Sequence, residues 1–212
     1  MKYLQTSIKE LGVKIEISSF STGNGTKEWH AMLHVEPRGE IFLEQYTRIR
    51  QAETILAEMP ELEGAQTVFK RYFLSDAANQ ANYLQALHAE CSDCALSIIE
   101  QAPLDGTKVA MWVYLQKGVQ TKTLKNGIYE VQHGAYRHLW MAGACNQAAN
   151  SEYQMRIIFN DYVMQLLENG CSLAQNCIRT WIFVQNVDVN YAGVVKARNE
   201  VFVTQNLTDK TH

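Results

Sequence analysis

Thr67-Val68-Phe69-Lys70-Arg71-Tyr72-Phe73-Leu74 is the stretch of sequence that decides the fold. Its length and composition are those of a strand, and successive side chains of a strand point to opposite faces of a sheet. Phe69 and Arg71 therefore share one face, whereas Tyr72 points to the other. Because both faces carry aromatic residues, neither is expected to be simply solvated. We expect a second sheet, from the same chain or from a neighbouring chain, to pack against this one.

The segments around this strand predict an α+β unit. Two alternating segments before it are typical of a hairpin, an amphipathic helix leads into it through Gly64, and a helix-like segment and a closing strand follow it. In chain order, these segments are Val13–Phe20, Trp29–Val35, Ile41–Met59, Asn79–His88 and Lys108–Leu115. The order β-β-α-β-α-β predicts a mixed sheet with helices packed on one face.

A second part of the chain follows a similar order. A hairpin, a helix leading through Gly170 into an apolar run, and another helix are predicted at Ile128–Val131, Tyr136–Ala142, Ser151–Glu168, Cys177–Val184 and Asn190–Phe202. We interpret this order as a tandem repeat with a boundary near residues 117–124, dividing the chain into domains 1–117 and 118–212. The run 177–184 should then superpose on the strand 67–74.

The second copy shows nothing equivalent to the closing strand of the first. A sheet without that strand exposes unpaired backbone groups beside Trp181 and Phe183. We therefore expect the chain to be an obligate oligomer, or to be accompanied by the segment that completes the sheet.

Composition and charge exclude several classes of protein. The chain has 212 residues, an apolar fraction of 47%, a charged fraction of 19% and a net charge of −3. No basic cluster favours nucleic acid or an anionic membrane, and no run is long enough to span a bilayer. The first residues lack the apolar core of a signal peptide. These features predict a cytoplasmic protein with neither a nucleic-acid partner nor a membrane partner.

The cysteines and short motifs do not indicate a metal or a cofactor. An odd count of five cysteines is typical of free thiols rather than of a disulfide scaffold. Cys91 and Cys94 form a C-x-x-C, but Cys171 and Cys177 do not supply a second ligand pair at zinc spacing. No glycine-rich phosphate loop, H-E-x-x-H pair or nucleophile elbow is present. We expect neither a metal nor a cofactor.

Several segments resemble motifs of the Rid family (YjgF, endoribonuclease L-PSP-like), with a tandem arrangement similar to that of the chorismatases. Phe73-Leu74-Ser75-Asp76 resembles the end of the family's "T-V-F-L-x-D" strand, and residues 95–104 resemble the motif "A-R-S-x-V-x-V-x-x-L-P". Residues 109–113 resemble the family's last strand. In the second copy, residues 179–184 resemble the first of these strands, and Asn199-Glu200-Val201-Phe202 resembles "N-E-V-Y".

The resemblance implies a chorismate-mutase-like fold, often trimeric, with ligand clefts between neighbouring subunits. Family members with deaminase activity hydrolyse enamines and imines derived from amino acids, and they hold the substrate carboxylate with the arginine of the closing motif. That position is Leu96 in this chain. The corresponding segment of the second copy would begin around Thr211 and His212. The resemblance therefore implies that the first copy lacks the family's imine deaminase activity.

Five other residues are candidates for ligand contact, and each has a structural alternative. Arg179 lies in an apolar run, where its partner is either a carboxylate ligand or a protein group at a sheet edge. Arg198 belongs to a helix face that is either solvated or part of a cleft, and Arg137 lies on a strand with the same ambiguity. Trp181 and Tyr191 either stack on a planar ligand or belong to an aromatic core.

Two functions from different classes follow. The first is a non-catalytic Rid-like module that binds a small carboxylate metabolite at an inter-domain or inter-subunit cleft and forms a homo-oligomer, with a trimer favoured by the resemblance. The alternative is a part of a longer chorismatase-like, hydrolytic or deaminating enzyme whose catalytic residues lie beyond His212. Leu96 favours the non-catalytic module. Because leucine cannot bind a substrate carboxylate, we expect no hydrolysis of 2-aminoacrylate-type imines above background.

Overall fold

The computed structural model describes residues 1–23, 25–89 and 94–208. The chain divides into two compact units, Met1–Gly143 (unit 1) and Ala144–His212 (unit 2). This boundary differs from the division near residues 117–124 that the repeat predicted. The reason is that the hairpin expected to open the second copy belongs to unit 1, where its apolar side is buried.

Unit 1 contains a six-stranded mixed sheet with the strand order β1-β2-β3-β6-β4-β5. Its strands are β1 (Lys2–Ile8), β2 (Val13–Ser21), β3 (Lys27–Val35), β4 (Ala65–Leu74), β5 (Ala95–Glu100) and β6 (Val109–Lys117). β4 and β5 are parallel, and the other neighbouring strands are antiparallel. The β2–β3 hairpin, β4 and the closing strand β6 confirm the sequence predictions, whereas β1 was not predicted.

Two helices, α1 (Phe42–Ala57) and α2 (Ala77–Ala89), confirm the predicted helices of the first copy. α1 begins with a side-chain contact, since the Glu44 carboxylate accepts a hydrogen bond from the Ile41 N–H at 3.2 Å. Arg48 then ties α1 to the β1–β2 turn, because its guanidinium donates to the carbonyl of Leu11 at 3.0 Å and to that of Glu36 at 2.7 Å.

Both helices contribute to one apolar core on one face of the sheet, which we call the helix side. Its buried members include Ile15, Leu33, Phe42, Tyr46, Ile49, Leu56, Tyr72, Leu84, Met111 and Val113. Lys70 also points to this side, and its ammonium group pairs with the Glu53 carboxylate of α1. The predicted arrangement of helices on one face of a mixed α+β sheet is confirmed for unit 1.

The opposite face of this sheet, the second face, is covered by a three-stranded sheet of the same unit. Its strands are β7 (Gln120–Thr123), β8 (Tyr129–His133) and β9 (Tyr136–Trp140), in the order β7-β8-β9. A bulge in β4 between Thr67 and Phe69 turns both Val68 and Phe69 toward the second face. They form a core with Tyr114, Tyr129 and Val131. Sheet-on-sheet packing thus occurs within unit 1.

Unit 2 is helical in its described part. Its helices are α3 (Ser151–Glu168), α4 (Leu173–Asn176) and α5 (Val187–Thr204), and α3 and α5 carry most of the core. The Asn150 side chain caps α3 by accepting from the Tyr153 N–H at 2.9 Å. Gly193 lets the two long helices approach closely, since a Cβ there would lie 2.5 Å from the Ser151 hydroxyl.

The strand predicted at Cys177–Val184 is not formed: residues 177–184 follow α4 as an extended segment, and residues 144–208 contain no strand. The predicted superposition of this segment on the strand 67–74 is therefore wrong. The segment follows the helices instead, because Cys177, Ile182 and Val184 pack against the core of α3 and α5. Apolar alternation indicated burial on one side but did not supply a strand partner.

Across the described residues, no helix is long and apolar enough to cross a membrane.

Candidate functional site

Polar and aromatic side chains form a row on the second face of the unit 1 sheet, across β3, β6 and β4. Three cross-strand pairs build it, since Arg71 is paired with Trp112, His30 with Tyr114, and Glu28 with Gln116. Alternation along each strand places these side chains on the same face. We call these six residues the polar row.

Arg71 lies at one end of the polar row and is only 6% exposed. Its Nε donates to the Ser97 hydroxyl of β5 at 3.1 Å. The guanidinium carbon lies 5.0 Å from the ring centroid of Phe69 and 5.5 Å from that of Trp112. Burial lowers the pKa of Arg71 from its ordinary value, because low polarity disfavours the charged form.

His30 occupies the middle of the row between two aromatic rings. Its ring centroid lies 4.6 Å from that of Tyr114 and 5.6 Å from that of Trp112, with nearly parallel planes. Burial lowers the pKa of His30, while the carboxylate of Glu28 acts in the opposite direction. The imidazole is therefore neutral near pH 7, although the residue keeps an exposed edge.

At the other end of the row, three side chains share hydrogen bonds. The Gln116 amide donates to the Tyr114 hydroxyl at 2.7 Å and to the Glu28 carboxylate at 3.2 Å. Burial raises the pKa of Tyr114, and so does the nearby Glu28 carboxylate. The phenol is therefore protonated near pH 7.

The three-stranded sheet adds His138, His133 and Trp140 beside this end of the row. The Trp140 ring lies 5.4 Å from that of Tyr114, and the two imidazole rings lie 4.8 Å apart. Burial, and then His133, lower the pKa of His138, whereas Glu28 raises it. The His138 imidazole beside the row is consequently neutral near pH 7.

The seam between the two sheets contains buried polar atoms whose hydrogen-bonding capacity is unused within the described residues. They are Oε1 of Gln116, Nε2 of His133 and Nε1 of Trp140. Buried polar atoms in proteins are normally hydrogen-bonded, so each of these three atoms has the capacity for one more hydrogen bond. The arrangement combines the buried Arg71 cation at one end with the Glu28 carboxylate and neutral donors and acceptors at the other.

Leu96, the position of the family's arginine, does not belong to the polar row. Its side chain packs against the helix-side core, and Leu96 is paired with Lys70 rather than with Arg71. Its neighbour Ser97 faces the second face and accepts the hydrogen bond of Arg71. An arginine on the adjacent strand, rather than a residue at position 96, therefore brings a cation to this face.

The other predicted candidates lie elsewhere. In unit 1, Arg137 lies on β9, and one of its guanidinium nitrogens is 3.5 Å from the buried Glu130 carboxylate. In unit 2, the guanidinium carbon of Arg179 lies 5.6 Å from the ring centroid of Trp181, and both residues are exposed. Arg179 and Trp181 thus contact each other at the surface of unit 2.

The remaining candidates, Arg198 and Tyr191, lie on α5. Arg198 donates to the Asn199 side chain at 3.0 Å and lies over the Phe202 ring, while Tyr191 is 58% exposed. These contacts are those of a helix surface.

Sequence reasoning missed Arg71 and His30, although the signals were present. Arg71 is a cation inside an apolar strand on the face of Phe69, and a cation in that position needs a polar or anionic partner. His30 lies two residues after Glu28 in the second strand of the hairpin, and this spacing places both side chains on one face. The cross-strand register that joins them to Tyr114 and Gln116 could not be read from the sequence.

No described group of three or more His, Cys, Asp and Glu side chains is arranged to hold a metal ion. Cys91 of the C-x-x-C lies outside the described residues. Comparison of the chain with family models, with curated proteins and with solved structures gives no match.

The lowered pKa values of His30 and His138 predict a pH-dependent stability of unit 1. Between the ordinary histidine pKa of about 6.5 and the lower folded values, the unfolded chain binds more protons than the folded chain. The contribution of these two histidines to the stability of unit 1 is therefore fully present above about pH 6.5, and it is lost as the pH falls. We expect the urea midpoint, followed by tryptophan fluorescence, to decrease between pH 7.5 and pH 5.5.

A double variant, His30→Gln with His138→Gln, should weaken this dependence while it remains folded at pH 7.5. Equal pH slopes for the double variant and the wild-type chain would contradict the lowered pKa values assigned to both imidazoles.

Proposed function

We propose that the chain is a Rid-like protein that binds a small carboxylate metabolite on the second face of unit 1 and lacks the family's imine deaminase activity. The observation that carries this proposal is the buried guanidinium of Arg71, held between two aromatic rings and the Ser97 hydroxyl. The predicted class of ligand is retained, and the arginine that binds it is a different one from those expected.

Burial makes Arg71 a stronger carboxylate receptor than an exposed arginine. The attraction between opposite charges increases as the effective dielectric constant falls, and a partly desolvated guanidinium costs less to desolvate further. Ser97 fixes the orientation of the guanidinium plane through Nε. A planar fork in a fixed orientation favours a carboxylate over a spherical anion, because its parallel N–H groups match the two carboxylate oxygens.

The rest of the polar row restricts the other end of the ligand. Glu28 carries negative charge near Gln116 and His138, so a second carboxylate at that end is disfavoured by repulsion. His30, being neutral, can donate or accept one hydrogen bond at its exposed edge. The row thus favours a monocarboxylate whose far end carries a hydroxyl, carbonyl or amino group.

The architecture of unit 1 supports the Rid-like part of the proposal. The element order from β2 to β6 contains two hairpin strands, a helix, a strand, a helix and the strands of the closing motif, in the order that the resemblance implies. Deaminase members of that family use the arginine of the closing motif. Leu96 is apolar and packs against the helix-side core, so the cation required for that chemistry is not supplied from its position.

Arg71→Lys should weaken carboxylate binding by about 30- to 150-fold, the equivalent of losing about 2–3 kcal/mol of charge-assisted hydrogen bonding. Lysine keeps the charge but not the fork. Binding of pyruvate, lactate and benzoate is measured by saturation-transfer NMR and calorimetry, with pyruvamide and benzamide as ligands that lack the carboxylate. We expect the acids, and not the amides, to bind the wild-type chain.

Arg137→Lys and Arg179→Lys are the matched controls, since they make the same replacement on β9 and in unit 2. Both should retain wild-type affinity. If Arg179→Lys abolishes binding while Arg71→Lys does not, the site lies in unit 2 and the proposal is wrong. Failure of the wild-type chain to bind any of the acids would also refute it.

The purified chain should not accelerate the hydrolysis of 2-aminoacrylate-type imines above background, because Leu96 stands where the family's arginine would bind the substrate carboxylate. The measurement is a coupled assay of ammonia and 2-oxo acid formation, with imine generated in situ. Robust turnover that disappears in Arg71→Lys would show that Arg71 has replaced the missing arginine in catalysis, and it would overturn this part of the proposal.

A further inference from the structure

The unit 1 sheet has β1 as one of its two edge strands, and among the described residues β1 has a strand on one side only. β1 is the first strand in the sheet order, and it pairs with β2 through seven consecutive residue pairs, from Lys2 with Ser19 to Ile8 with Val13. This ladder shows no register shift. A regular edge strand presents a row of backbone N–H and C=O groups to whatever approaches its outer side.

The other edge of the sheet differs. There, the segment after β9 passes β5, since a Cβ on Gly143 would lie 3.4 Å from the Leu96 carbonyl oxygen. α2 also contacts β5 and β4. One edge is thus covered by the unit's own chain, whereas no strand of the described residues lies beyond β1.

β1 also lacks the features by which proteins usually protect an edge. Its sequence, Lys2-Tyr3-Leu4-Gln5-Thr6-Ser7-Ile8, contains no proline, no bulge and one charge, at the first position. Tyr3 is 63% exposed and Leu4 is 41% exposed. An unprotected edge with exposed apolar side chains is a pairing surface.

We propose that β1 pairs antiparallel with β1 of a second copy of this chain, joining two unit 1 sheets into one continuous sheet. The two-fold axis passes through Thr6, so that Leu4 of each copy lies opposite Ile8 of the other and Gln5 lies opposite Ser7. Leu4, Thr6 and Ile8 all point to the helix side, because they pair with Ile17, Ile15 and Val13 of β2. The two-fold axis is perpendicular to the sheet, so the helix sides of both copies lie on the same face of the joined sheet.

The sequence of β1 is complementary to itself in this register. Apolar side chains meet apolar side chains on the helix side, and neutral polar side chains meet on the second face, the pairing that stabilises antiparallel strands. Lys2 extends toward Glu10 of the second copy, so the only charge of the strand approaches an opposite charge. Any partner strand would need this same alternation of apolar and polar residues, and a second copy of β1 has it.

The pairing is independent of the proposed function. Arg71 lies on β4, which is four positions from β1 in the sheet order and next to β5, the opposite edge strand. Carboxylate binding and pairing through β1 therefore use different strands, and each can fail without the other.

The register makes a specific charge experiment available. Thr6→Lys and Thr6→Glu each place two like charges opposite one another on the axis, and cross-strand like charges are destabilising. Sedimentation equilibrium should show a dimer for the wild-type chain and at least about tenfold weaker association for each variant alone. An equimolar mixture of the two variants should restore association, because lysine then lies opposite glutamate.

Gln120→Lys, which adds a charge to the exposed strand β7, is the matched control and should leave the dimer unchanged. Thermal unfolding identifies a variant that fails to fold. In that event, hydrogen exchange of the wild-type chain alone decides, since the amides of residues 2–8 should become more protected as protein concentration rises.

The proposal is overturned by a wild-type chain that stays monomeric at about 100 µM, by dimers or trimers that neither charge variant weakens, or by a mixture that associates no better than each variant alone. Benzoate and pyruvate binding by Thr6→Lys should equal that of the wild-type chain, which separates this result from a failure of the carboxylate site.

Discussion

The structure of unit 1 depends on a sheet whose central strands are apolar on both faces. Tyr72 and Met111 are completely buried on the helix side, while Phe69 and Tyr114 are almost completely buried on the second face. Burial of each such side chain stabilises the fold by about 1.5–3 kcal/mol, and leaving either face in water would forfeit several of them at once. Two covers are therefore required. Helices α1 and α2 provide one, and the three-stranded sheet β7–β9 provides the other.

The polar row exists because the three-stranded sheet β7–β9 does not exclude water equally from the whole second face. Phe69 and Tyr114 lie in the apolar seam, whereas His30, on the strand next to that of Tyr114, is exposed. At the end of the row, on the strand of Phe69, Arg71 is almost buried and stays in contact with the rings that accommodate its charge. A cation in this intermediate environment keeps its charge and has lost much of its hydration. These two properties support the proposal of a carboxylate ligand at Arg71.

Local elements were predictable from the sequence, and their pairing was not. The alternation of Val13–Phe20 and the apolar stripe of Ile41–Met59 report a strand and a helix directly, because burial on one face imposes a period of 2 or 3.6 residues. The run Cys177–Val184 is rich in apolar residues, as β4 is, yet it lies against helices, since a strand also needs a partner for its backbone. The hairpin β8–β9 was predicted as an element and assigned to the wrong unit for a related reason: its inner residues Tyr129 and Val131 complete the core around Phe69.

The second face of the sheet is covered from within unit 1 by the strands β7–β9. Residues 1–143 and residues 1–117, produced separately, test it by near-ultraviolet circular dichroism and urea unfolding. The longer piece should show a fixed aromatic signal and one cooperative transition. The shorter piece, which lacks β7–β9, should lose that signal, bind a hydrophobic dye and unfold without a sharp midpoint. An equally sharp and equally stable transition for residues 1–117 would show that β7–β9 are not required to cover the second face.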